Sequence, residues 1–223
     1  MISKRIYILF LLFLFCFCKK AGGYVTVDLL FNSPQPVNSS ELRKFPSKYR
    51  GAYLNSDSLL LKINENEIVT EEDYKFKIHK NLLDSLKNEI DVADGNRVEK
   101  ATQMRYGIKH IGDSIVCIHK MVDTLFSFSN QQKLKIVGNH LILNTKDSVF
   151  WKVKIISFSK DIVEMKDVGF EEDLYQLDSI TTIKSKKIDA VSYLLSPSRK
   201  EFKTFTKLKN RNFVTTFKKV INK

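Results

Sequence analysis

Cysteine, histidine, glycine and proline are all scarce in this chain of 223 residues. Cysteines stand only at 16, 18 and 117. The first two lie within or at the end of an apolar leader, so Cys117 is the one thiol left in the body. A lone thiol forms no internal disulfide, and the fold must rest on its core. Four histidines are present, without a paired-histidine zinc motif or zinc-finger spacing. There is no phosphate loop, no dinucleotide fingerprint and no serine-nucleophile elbow. Glycine numbers eight and proline four, so Asn, Asp and Ser must make most turns. No stretch reaches the roughly eighteen apolar residues of a membrane span.

What is present begins with the leader. Lys4 and Arg5 precede an unbroken apolar run over 6–17; Cys18 follows, then Lys19 and Lys20. As a helix the run rises about 18 Å, well short of a hydrocarbon core about 30 Å thick. It has the length of a signal-peptide core instead. The basic start, the short apolar run and the cysteine at its end resemble bacterial lipoprotein signals. The resemblance covers residues 1–18 only. It implies cleavage after Phe17, diacylglycerol on the Cys18 sulfur and an acylated Cys18 amine. The family favours a small residue where this chain has Phe17, and Cys16, preceded by Phe15, fits no better. An uncleaved signal anchor is the alternative. Cys16 and Cys18 have no partner ligands nearby, which disfavours a metal or redox pair.

The formal charge is +12, and residues 199–223 hold nine Lys or Arg against Glu201 alone. An export signal argues against nucleic acid as the partner of this charge. A solvated surface, or contact with an anionic polymer of the envelope, fits better. The leader also implies a membrane-attached envelope protein, on the outer membrane facing the periplasm, with no acidic residue over 19–23 to mark surface export. A protein partner in the envelope is expected, and no cofactor.

Residues 18–46 mix Gly22-Gly23, Pro34, Pro36 and Asn38-Ser39-Ser40 and read as a lipidated cysteine with a tether, 24–30 offering an edge strand. From Gly51 the period is two. Strands are expected at 53–54, 59–63, 68–69, 74–78, 106–111, 115–120, 124–129, 133–137, 140–143, 149–158, 162–165, 188–195 and 213–220. Leu82, Leu83, Leu86 and Ile90 share a helical face, as do Leu174, Leu177 and Ile180. Ser198 with Glu201 forms a capping-box pattern ahead of Phe202, Phe205 and Leu208. The expected fold over 47–223 is mainly β: an antiparallel curved sheet or partly closed barrel with a few short helices. Gly51, Asn55, Asp57-Ser58, Ile63 and Ile68-Val69 recur as Gly138, Asn144, Asp147-Ser148, Val153 and Ile162-Val163. Leu83-Asp84-Ser85 recurs as Leu177-Asp178-Ser179. Half-repeats over 47–130 and 131–223 therefore stand beside a single undivided domain.

Candidate chemistry is thin. A two-residue turn at Gly112-Asp113 sets Ile108 opposite Cys117, His110 opposite Ile115 and Tyr106 opposite His119. His110 and His119 then lie about 13 Å apart and cannot share an ion, which leaves Cys117 as a core thiol. Asp91 to Gly95 reads as a turn, since the calcium-loop register would put Ile90 and Val92 at ligand places. Glu71-Glu72-Asp73 reads as a solvated loop. Trp151 is a core residue or the wall of a ligand cavity. A late helix before a final strand is similar to the lipocalin pattern, which implies an apolar cavity, although the Gly-x-Trp signature is absent near the first strand.

Three functions remain open: a non-enzymatic binding or assembly module, a carrier of a small apolar ligand, and an enzyme with a dispersed site. Mass spectrometry of the native amino terminus is expected to find a mature chain that begins at acylated Cys18. Unmodified Ala21 or an intact Met1 at the terminus would exclude lipid attachment.

Overall fold

The computed structural model describes residues 25–83, 85, 90–93, 96–208 and 214–220. The leader, Cys18, Asp94, Gly95 and Leu86 lie outside the described residues. The chain is mainly β, with one large curved sheet that does not close.

Its central part is a run of antiparallel neighbours. β2 (Gly51–Leu54), β3 (Leu60–Ile63) and β4 (Glu67–His79) form one meander. β10 (His140–Asp147), β11 (Phe150–Ser159) and β12 (Ile162–Val168) form a second. The last strand, β15 (Val214–Lys219), pairs β12 on one side and β2 on the other, joining the meanders. β9 (Gln132–Val137) lies outside β10. β8 (Ser114–Ser127) runs the length of β4, through a register shift at Ile68/Val69. Sequence predicts two strands there, and the structure has one. The shift lets the strand keep pairing while its facing pattern slips.

The two meanders end alike. Each meander is followed by a helix, Lys80–Leu83 after β4 and Glu171–Ile180 after β12. Ser58 and Ser148, in the first turn of each, both take positive φ, at 69° and 57°. Turns in this glycine-poor chain draw on Asn38, Gln103 and Lys160 in the same way. Among the described residues, Gly112 and Gly138, both at φ 58°, keep glycine in two-residue hairpin turns; no atom crowds a Cβ at either, so the backbone angle alone requires it.

The concave face of the curled sheet is filled. Tyr53, Leu61, Ile63, Ile68, Phe126, Leu134, Leu141, Leu143, Ile156, Val163 and Phe217 are buried there. The opposite face of β10 and β11 is buried as well. Ile142, Val153 and Ile155 pack against Leu174 and Leu177 of Glu171–Ile180 and against Phe202 and Phe205 of the helix Arg199–Phe205. Trp151 belongs to this second core, 9% exposed. The Arg199–Phe205 helix starts as its sequence predicts. Ser198 Oγ accepts the Glu201 N–H at 3.3 Å, and Glu201 Oε2 accepts the Ser198 N–H at 2.7 Å. Those bonds, with others from Thr182, hold the Glu201 carboxyl down at about 2.

Beyond the curled part of the sheet, β4 and β8 continue as an arm with β7 (Arg105–Ile111), β6 (Asn96–Glu99) and β5 (Ile90–Ala93). Ile90 therefore sits in a strand and not on a helix. Glu71, Glu72 and Asp73 are mid-strand in β4 and not in a loop. There Glu71 is held by Lys62 and Lys120, which offset its charge. The segment expected at 188–195 is split into β13 (Lys186–Lys187) and β14 (Ser192–Leu195).

The largest departure from the sequence reading is the tether. From Val27 onward it is part of the domain. β1 (Asp28–Phe31) runs parallel to β14 and touches β11 at Trp151. Leu29 and Phe31 enter the outer core, and Phe45 plugs the inner one. Phe45 stacks on Phe126 and Phe128 with ring centroids 5.6 Å and 5.1 Å away. Around it the backbone crosses the open side of the sheet. Leu42 N–H donates to the Leu134 carbonyl of β9, and Phe45 N–H donates to the Glu65 carbonyl after β3. Proline and asparagine here report irregular backbone, which the sheet can bury once its polar groups find partners.

Those partners are specific. Asn144, fully buried on β10, accepts the Gln35 N–H on Oδ1 at 2.5 Å and donates from Nδ2 to the Gln35 carbonyl at 2.9 Å. Lys135 Nζ, 5% exposed, donates to the Pro34 and Pro36 carbonyls at 2.9 Å and 3.0 Å. Burial pushes the Lys135 ammonium below its usual range. Asn144→Ala strands both Gln35 groups in a dry site, each worth about 1–3 kcal/mol. Urea unfolding of that variant is expected to show a loss of about 3 kcal/mol. A loss under about 1 kcal/mol would contradict the clamp.

Candidate functional site

Cross-strand register on the outer face of the sheet places four polar residues in one row. His140 on β10 faces Ser157 on β11, Ser157 faces Glu164 on β12, and Glu164 faces Thr216 on β15. The row forms part of the floor of a cleft of about 660 Å³. Ile155, Val214 and Lys166 complete the floor; Gln176, Phe205 and Leu208 come from the two helices and the turn after them.

The ends of the cleft are differently wired. His140 Nδ1 lies 2.7 Å from Ser157 Oγ. Burial lowers the imidazole pKa, and the nearby Glu164 carboxylate only partly offsets that. At neutral pH the ring is therefore uncharged, with one nitrogen engaged by the hydroxyl. Lys166 is tied to the fully buried Asp173, whose Oδ2 also accepts the Gly169 and Phe170 N–H groups at 3.2 Å and 3.3 Å. One carboxylate thus satisfies the start of Glu171–Ile180 and neutralises the lysine of the floor. Gln176 has a buried Oε1 with no partner among the described residues. The cleft offers hydroxyls, an imidazole and a carboxylate beside a roughly equal apolar surface. That mixture suits hydrogen-bonded recognition of a small molecule or a chain segment.

Glu164 lies beyond Ser157 in the row, so Ser157 is the middle member, whereas a nucleophilic triad places histidine there. A second cleft, about 420 Å³ and mostly apolar, opens between Gln35, Ile183, Leu195 and Pro197.

The residues singled out in the sequence are not brought to this cleft. Register in the arm sets Ile108 opposite Cys117 and His110 opposite Ile115, as expected. Cys117 is 1% exposed, and burial raises its thiol pKa. His119 packs on Tyr106, with centroids 5.4 Å apart, and its Nδ1 meets the Arg105 carbonyl at 2.9 Å. His110 is exposed. Among the described residues no group of His, Cys, Asp and Glu could hold a metal. Sequence reasoning missed His140, Ser157 and Glu164, which sit 17 and 7 positions apart and meet only through strand register. It also missed Arg97, buried opposite Tyr106 in the arm with an unpartnered Nη1.

His140 carries a testable pH dependence. Its folded pKa lies below the unfolded value of about 6.5, so the unfolded chain binds the extra proton. Its contribution to stability is complete above that value and declines as pH falls from about 7 toward 5. Thermal melts over that range are expected to show a smaller decline for His140→Gln than for the native chain. Parallel curves would exclude the burial effect. No protein-family model, no curated protein and no solved structure matches this chain.

Proposed function

We propose that this is a lipid-anchored protein of the bacterial cell envelope, attached through Cys18 to the outer membrane and facing the periplasm. Its domain acts as a non-enzymatic binding or assembly module. The leader supports the anchor. The cleft over β10, β11, β12 and β15 carries the binding reading: it is of ligand size, half apolar, and floored by a row of hydrogen-bonding side chains. The concave side of the sheet is packed with Phe45, Phe126 and Phe217. That disfavours a lipocalin-like carrier, whose ligand would occupy the interior. Lys200 and Lys203 lie on a helix and Lys218 and Lys219 on opposite faces of β15, and they add long-range attraction to anionic envelope polymers.

One observation favours a second reading, an enzyme with a dispersed site: the 2.7 Å contact of His140 Nδ1 with Ser157 Oγ. An alkyl fluorophosphonate separates the two. No adduct on Ser157 is expected. A stoichiometric adduct that His140→Ala abolishes would overturn the binding reading in favour of serine chemistry. Native mass spectrometry of the chain extracted from its membrane is expected to retain a non-covalent ligand, lost in Ser157→Trp, which fills the cleft. Identical spectra for the two chains would count against the site.

A further inference from the structure

The described chain begins at Val25, against the start of the Glu171–Ile180 helix. The Val25 carbonyl accepts the Glu171 N–H at 3.2 Å, Thr26 bridges Phe170, and Val27 N–H donates to Gly169. The turn from β13 to β14 lies beside it, since Asp28 N–H donates to the Val191 carbonyl at 2.9 Å. Around this entry point stand large exposed apolar side chains: Val25 at 54%, Tyr175 at 63%, Ile188 at 45% and Val191 at 52%. Tyr175 is fixed by its hydroxyl, which donates to Glu171 Oε1 at 2.7 Å. Lys187 Nζ lies 5.7 Å over the ring of Tyr193, and Tyr193 is close enough to Tyr175 to perturb its phenol. Scattered surface hydrophobes need no explanation, but four around one chain entry do.

The chain itself says what covers them. Cys18 precedes Val25 by seven residues (25 − 18), which span at most about 25 Å however they are arranged. An acyl chain on Cys18 therefore keeps this end of the domain within headgroup range of the bilayer. Tyrosine is a residue of the membrane–water interface, and aliphatic side chains beside it gain from burial there. Lys19, Lys20, Lys186 and Lys187 stand against Glu171, Glu172 and Asp189 and leave a single positive charge, so apolar contact outweighs charge.

We infer that the surface of Val25, Tyr175, Ile188 and Val191 docks on the lipid bilayer, so that the anchor fixes the orientation of the domain as well as its location. The inference rests on the proposed attachment at Cys18. It orients β12 with its Val168 end toward the membrane and its Ile162 end away.

The test uses the full chain purified from its membrane, with intact mass reporting the Cys18 modification. It is placed in phosphatidylcholine–phosphatidylglycerol vesicles whose lipids carry a shallow nitroxide or bromine quencher. Val191→Trp and Ile188→Trp, each made with Trp151→Phe, are compared with Ile162→Trp on the same background. All three positions are exposed, and circular dichroism verifies folding. Quenching at 191 and 188 is expected to exceed that at 162 by about twofold or more. Equal quenching in a chain that carries its lipid overturns the docking surface and leaves the anchor standing. A chain without lipid on Cys18 overturns the anchor and the docking surface together.

Discussion

The burial of the irregular segment between Phe31 and Phe45 depends on the two side chains that hold residues 34–36. Asn144 gives Gln35 both a donor and an acceptor, so it acts as a one-residue substitute for a neighbouring strand. Lys135 binds the carbonyls on either side. A proline-rich segment has few N–H groups to offer a sheet, and its carbonyls need donors from elsewhere. Once they are supplied, the segment can be buried, and it carries Phe31 into the outer core on one side and Phe45 into the inner core on the other. The clamp thus couples two apolar cores on opposite faces of the same strands.

That coupling explains an unusual feature of β10 and β11. Strands of an antiparallel sheet commonly alternate between a dry and a wet face. Here Leu141, Ile142, Leu143 and Asn144 are all buried in succession. Leu141 and Leu143 face the inner core, and Ile142 faces the helices. Asn144 is the polar residue where one polar residue is required. The cleft lies at the His140 end of the same strands, where the second layer stops short and the floor turns polar.

Strand positions outside β5 and β6, the Ser198–Glu201 cap, the Glu171–Ile180 helix and the hairpin register around Cys117 were legible in the sequence, because each rests on local periodicity or on turn chemistry within a few residues. The packing of 25–46 was not, because its evidence lies far along the chain: Gln35 and Asn144 are 109 residues apart. The site was hidden for the same reason. His140, Ser157 and Glu164 each look like an ordinary polar residue of an alternating strand, and only register aligns them. The acidic run at 71–73 misled because a charged stretch resembles a loop, while in β4 its charges face lysines across the ladder. Residues that drew attention by rarity, Cys117 and Trp151, proved to be packing.

The parallel pairing of β1 with β14 joins residues more than 160 positions apart, Asp28 with Ser192 and Phe31 with Leu195. Contacts of such separation form late, because a large loop must close before they yield anything. The meander β10–β11–β12 and the arm can assemble from their own neighbourhoods, but the stretch next to the leader has nothing to join until almost the whole chain is present. A newly made chain therefore keeps β1 without its parallel neighbour until β14 has been made, and at this end the fold closes only when almost the whole chain is present.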